Sequence, residues 1–158
     1  MKTNENTILM KLEDEIVQRK FLNESHKLGI NIIYTFNWIN SFQTCLLKKY
    51  SLTPQQYNVL RILRGQHPNI ANIKLVRERM LDKMSDASRI IEKLRAKGLL
   101  DRQISEHDRR SCDVTITKKG MELLAKIDQD DVSFEGLFKH LKPDEKKQLN
   151  DLLDNLRG

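Results

Sequence analysis

Ser85, Asp86, Ser88, Arg89 and Lys93 stand along the front of a short amphipathic run, and Asp108, Arg109 and Arg110 form a charged turn further on. Hydroxyls at a helix N-terminus suit phosphate. An arginine on a helix can donate two bonds to one guanine, and an arginine at a loop tip can enter a narrow minor groove. Lys83 and Lys93 can meet phosphates or stand as plain surface lysines. Ser85 or Asp86 can equally cap the helix, and the Asp108 turn could be only solvated charge. The chemistry on offer is recognition of nucleic acid.

Other chemistry has little support. His26, His67, His107 and His140 have no metal or triad spacing, and no Gly-rich phosphate loop, zinc-finger spacing or nucleophile elbow occurs. Neither catalysis nor a metal or other cofactor is expected. Cys45 and Cys112 are far apart in sequence. No activating neighbour is evident for Cys45, whereas Arg109 and Arg110 could lower the pKa of Cys112. Unremarkable reduced thiols are the expectation.

The reading residues need elements to hold them. Ile90, Ile91 and Leu94 give an inward face to a helix over Ser85–Lys97, and Gly98 stops it. A hairpin over Leu99–Thr117 follows, its return strand alternating Cys112, Val114 and Ile116 with Asp113 and Thr115. Upstream, Thr53-Pro54 opens a helix bearing Tyr57, Leu60 and Leu63, which Gly65 is expected to stop. A third helix is expected over Ile70–Leu81. Helix, Gly stop and basic-tipped hairpin in that order describe a winged helix-turn-helix over residues 51–120.

Amphipathic helices flank this module: Thr7–Lys20, Ser25–Lys49, Lys118–Lys139 (capped by Thr117) and one from Pro143 to Leu156. The fold expected is mainly α with a small β-hairpin wing, one domain over residues 1–158. Residues 7–50 and 118–157 supply apolar faces that must be buried somewhere. An intrachain bundle and a second copy are both open.

The order Ser88-Arg89-x-x-x-Lys93-Leu94-x-x-Lys97-Gly98-Leu99, then Asp108-Arg109-Arg110, then Thr117-Lys118-Lys119-Gly120 resembles the signature of the MarR family of bacterial transcriptional regulators. More loosely, the resemblance extends from about Leu28 to Leu156. Between Leu75 and Ser88 the chain has one residue more than the commonest family spacing, through Leu81-Asp82-Lys83-Met84. The resemblance implies terminal helices that pair two copies into a homodimer. It also implies binding of double-stranded DNA at a palindromic operator, repression, and release by a small molecule. Asp108 would pair with Arg110, leaving Arg109 for the DNA. Ligands of the family bind near the long helix, which here carries Tyr34, Phe36, Trp38 and Phe42, with Tyr57 beyond. A small aromatic ligand is expected there, although such a stripe can equally be core. Some members sense peroxides through a cysteine, so a redox-sensing regulator is a variant. A winged-helix protein-interaction module that reads no DNA is the alternative from another class.

The charge distribution agrees with a DNA-facing module. The formal net charge is +6, with +5 in residues 70–120, +4 in residues 1–69 and −3 in residues 121–158. A basic face draws a protein toward phosphates. No signal-peptide-like or membrane-length apolar run occurs, so a cytoplasmic protein without a membrane partner is expected.

Overall fold

The computed structural model describes residues 10–105, 111–129 and 134–158. The chain divides into two compact units, one up to Cys45 and one from Leu46 onward.

The first unit holds α1 (Leu12–Glu15) and most of α2 (Glu24–Lys48). The helix expected over Thr7–Lys20 is helical here only for α1; residues 1–9 lie outside the described residues. Lys11 gives α1 no side-chain cap, and Val17 ends the segment at φ 54, a region β-branched residues rarely occupy. Two polar contacts tie α1 to α2. The Lys27 ammonium lies 2.5 Å from Glu13, and the Tyr34 hydroxyl donates to Glu15 at 2.8 Å. Asn23 begins α2 by accepting the His26 N–H at 2.8 Å.

The second unit is the winged helix with its C-terminal helices. Thr53 caps α3 (Pro54–Gln66) through a reciprocal pair with Gln56, both bonds 3.2 Å, and Pro54 occupies the first turn. The helix continues through Gly65, contrary to expectation, and ends before His67. Pro68 is the breaker: it biases the residue before it toward extended backbone, and His67 has φ −56 and ψ 133.

A two-residue strand β1 (Ala71–Asn72) follows, so α4 (Ile73–Arg79) starts later than Ile70, capped by the Asn72 side chain at 2.8 Å from Leu75 N. The helix α5 (Ala87–Ala96) is capped by Asp86, which accepts the Arg89 N–H at 3.1 Å. β2 (Leu100–Ile104) and β3 (Cys112–Ile116) pair antiparallel, Leu100 opposite Ile116 and Arg102 opposite Val114. β1 pairs with the far edge of β3, making a three-stranded sheet in the order β1-β3-β2. The third strand is an addition to the expected hairpin. Two residues carry no readable alternation.

Thr117 starts α6 (Lys118–Gln129), which ends short of the expected Lys139; α7 spans Phe134–Leu137, and residues 130–133 lie outside the described residues. The last helix, α8, runs from Pro143 to Arg157. The mainly helical fold with a small antiparallel wing is as the sequence predicts.

One core serves the second unit. Val59, Leu60 and Leu63 of α3 meet Val76 and Met80, Ile91 and Leu94 of α5, Leu100 and Val114 of the wing, and Leu124 and Ile127 of α6. Burying such side chains contributes about 1.5–3 kcal/mol each. That fixes α5 against α3 and the sheet, and so fixes which face of α5 remains open.

Candidate nucleic-acid interface

The helix α5 is sorted sharply by face. Ala87, Ile91 and Leu94 are buried, Ile90 is half-buried, and Ser88, Arg89 and Lys93 are exposed. Among the described residues, the Arg89 and Lys93 side chains have no ion-pair partner. Glu92, between them, is engaged elsewhere: it pairs with Arg95 at 3.1 Å and with Arg102 of β2 at 3.3 Å. The acidic residue of this helix is therefore drawn toward the wing, while two cations stand open.

The turn before α5 is closed on itself. Asp82 accepts the Ser85 hydroxyl at 2.6 Å and the Met84 N–H at 3.0 Å. The Ser85 hydroxyl bond is the main reason the Asp82 carboxyl lies below its ordinary range, with the Met84 N–H next and Gln55 contributing. Asn58 of α3 accepts the Leu81 N–H at 3.0 Å. Lys83 donates to the Glu78 carbonyl at 2.5 Å. This turn contains the Leu81-Asp82-Lys83-Met84 stretch whose spacing departs from the family's.

The front residues thus divide. Asp86 is the cap, Ser85 is bound into the turn, and Lys83 reaches back to α4. Ser88, Arg89 and Lys93 remain open. Asp108, Arg109 and Arg110 lie outside the described residues, as does His107. The base of the wing is described: Ser105 is buried and its N–H donates to the Ser111 carbonyl at 3.1 Å.

Behind α5, the Lys97-Gly98 and Thr117–Gly120 pieces form one junction. Gly98 has φ +69, a left-handed conformation suited to glycine. The Thr117 hydroxyl donates to the Gly98 carbonyl at 2.8 Å and accepts the Gly120 N–H at 3.1 Å. Lys119 donates to the Lys97 carbonyl at 2.8 Å. Lys97 itself donates to the Ser51 carbonyl and, at 3.1 Å, to Gln56, which is buried. A Cβ at Gly120 would collide with the Leu99 carbonyl and lie 2.8 Å from Ile116. These residues aim the reading helix and need not touch a ligand themselves.

Sequence reasoning missed the supports. Asn58 and Gln56 support partners distant in sequence, the Leu81 N–H and Lys97, while Asp82 bonds residues only two and three ahead of it. It also passed over a cation beside Cys112. Arg109 and Arg110 are outside the described residues; among the described ones, the Arg102 guanidinium lies 3.3 Å from Sγ.

The candidate ligand aromatics fall in different units. Phe36, Trp38 and Phe42 are exposed on α2 in the first unit. Tyr34 is half-buried and donates to Glu15, and that bond, ahead of burial, raises its phenol pKa. Tyr57 belongs to the second unit, with the Arg61 guanidinium 5.7 Å from its ring centre and donating to its hydroxyl at 3.2 Å. Among the described residues, no cluster of metal-ligating side chains occurs and no helix is long and apolar enough to cross a membrane.

Helix α4, the Asp82 turn, helix α5 and a β-hairpin in succession define a winged helix-turn-helix. Residues 50–111 match the model of the MarR family, so over that stretch this chain is similar to that family. Members of that family regulate transcription and are not enzymes.

Solved structures agree in fold. A mutant of Escherichia coli MarR complexed with operator DNA is 22% identical, with a TM-score of 0.74 over 87% of this chain and 99% of that one. Bordetella bronchiseptica BpsR, whose DNA binding is regulated by 6-hydroxynicotinic acid, is 23% identical, with a TM-score of 0.69 over 84% and 99%. An organohalide-sensing transcriptional regulator in its 2,4-dichlorophenol-bound form is 18% identical, with a TM-score of 0.77 over 97% and 88%. No curated protein matches the chain.

Proposed function

We propose that this protein is a cytoplasmic repressor that binds a palindromic operator as a homodimer and is released by a small aromatic ligand. The observation that carries the DNA reading is the open face of α5, where Ser88, Arg89 and Lys93 are exposed opposite a buried Ala87, Ile91 and Leu94. Arg89 takes a base edge, Lys93 and Lys83 take phosphates, and Ser85 and Asp86 shape the approach. Arg109 at the wing meets the minor groove, with Asp108 and Arg110 holding the tip. Residues 51–120 form the reading module.

Residues 7–50 and 118–157 form the pairing region, supported by exposed Leu149, Leu152 and Leu156 on α8. Two reading helices about 34 Å apart would enter successive major grooves. The ligand lodges against the α2 aromatics Tyr34, Phe36, Trp38 and Phe42. It acts by binding one spacing of the reading helices better than the other. The aromatic ligands of two structural neighbours support the choice of ligand class.

Titration of duplex DNA at several salt concentrations tests this. Several phosphate contacts from each of two copies give a log–log slope on the order of −5 to −10. Arg89→Ala lowers specific affinity by about 1–3 kcal/mol and relaxes base preference. A flat salt response, or no genomic fragment bound, overturns the reading.

A further inference from the structure

Between buried Met80 and buried Ala87, the chain presents Leu81 and Met84 to solvent, 83% and 95% exposed. An apolar side chain so exposed in a loose loop would mean little. This turn is not loose. Its ends are anchored in the core, Asn58 holds the Leu81 N–H, and Asp82 holds the Met84 N–H and the Ser85 hydroxyl. The backbone that carries Met84 is therefore set outward by bonds within the fold. Met84 stands two residues before the cap of α5, and Lys83, Ser88 and Arg89 beside it in sequence are all exposed.

We propose that Met84 is a specificity-determining residue that packs against the 5-methyl group of a thymine in the major groove. The inference rests on the DNA-reading function proposed above. The residues around the start of a reading helix are those that meet base edges. Thymine alone among the bases offers a methyl there. An unbranched, polarisable thioether suits an apolar contact whose shape is fixed by the DNA. The cations alongside argue for a nucleic acid over an apolar protein groove, which would have to desolvate them.

The test is a methyl scan of a site selected by the wild-type protein from random duplexes. Each thymine is replaced in turn by deoxyuridine, which lacks only the methyl, and binding is measured for wild type and Met84→Ala. The expected result is one position in each half-site where loss of the methyl weakens the wild type about fourfold, the worth of one buried methyl. Met84→Ala should show no such step there, while its affinity for unselected DNA is unchanged. Met84 is almost fully exposed, so the variant folds. A flat scan in the wild type, or the same step in both proteins, overturns the thymine contact and leaves DNA reading intact. Failure of the wild type to bind any duplex overturns both. Loss of unselected binding in Met84→Ala also overturns the specificity role.

Discussion

The winged-helix module and the helices around it solve the burial problem in opposite ways. Within the module, α3, α5, the wing and α6 each sink a face into one core, and side chains such as Ile91, Leu94 and Val114 are fully enclosed. The terminal helices do not. Along α2, Leu28, Ile33, Phe36, Trp38 and Phe42 are exposed and only Leu47 is buried; α8 buries nothing and shows Leu149, Leu152 and Leu156. Between α1 and α2 the polar contacts Glu13–Lys27 and Glu15–Tyr34 lie near the surface, where such pairs stabilise little, and α1 buries Leu12 alone. The module is complete as a folding unit, whereas the outer helices have apolar faces that a single chain leaves wet. Truncating an apolar residue should therefore cost folding in the first region and association in the second.

The largest effects should come from the module. Leu94→Ala leaves a cavity among α3, α5 and the wing, at a cost of about 2–5 kcal/mol. Gly120→Ala should approach that, because its Cβ meets the Leu99 carbonyl, which cannot move without shifting the strand. Phe36→Ala, by contrast, should change the unfolding free energy of dilute protein by less than about 0.5 kcal/mol. Denaturant titration of the three variants decides the matter. A Phe36→Ala loss as large as that of Leu94→Ala would abolish the contrast between the regions.

A step smaller, and of another kind, is expected from α8. Leu152→Asp together with Leu156→Asp puts charge on an apolar face without opening the core. If that face pairs with a second copy, self-association should weaken by more than about a hundredfold, since each leucine is worth roughly 1.5–3 kcal/mol when buried. Circular dichroism should keep its helical signal while light scattering reports a monomer. An unchanged oligomer would place the interface elsewhere and leave the exposed leucines without a role.

How much of this was legible in the sequence follows the same division. Periodic burial can be read because it repeats: Leu60 and Leu63, and Ile91 and Leu94, announced α3 and α5, while Thr53-Pro54 and Thr117 announced the starts of α3 and α6. Local chemistry without a period could not be read. The strand Ala71–Asn72 is too short to alternate, Pro68 rather than Gly65 ends α3, and the break at Val17 after α1 depends on backbone geometry. At the candidate site, Arg89 and Lys93 were recognisable as open cations because they fall opposite the apolar stripe. The bonds that engage Ser85 and Lys83 within the fold left no such trace. Their partners, Asp82 and the Glu78 carbonyl, become neighbours only when the turn closes.

The smallest expected effect concerns the charge on Asp82, which links the two halves of the reading motif. Its carboxyl is held below the ordinary range, first by the Ser85 hydroxyl and next by the Met84 N–H. A carboxyl with a folded pKa below its unfolded one stabilises the fold at any pH above the unfolded value, and loses that contribution as pH falls through the folded one. The turn should therefore be indifferent to pH from about pH 5 upward and loosen only below the usual aspartate range near 4. Asp82→Asn keeps an acceptor for the Met84 N–H but removes the charge. It should be slightly less stable than wild type at neutral pH, and the gap should close as the medium is acidified. Thermal melting of both proteins from neutral pH down to about pH 3 measures that gap. A gap that stays constant would mean that hydrogen-bond geometry, and not charge, holds the turn. A gap that widens in acid would mean that the ionised carboxylate opposes the folded turn, contrary to the geometry around Ser85.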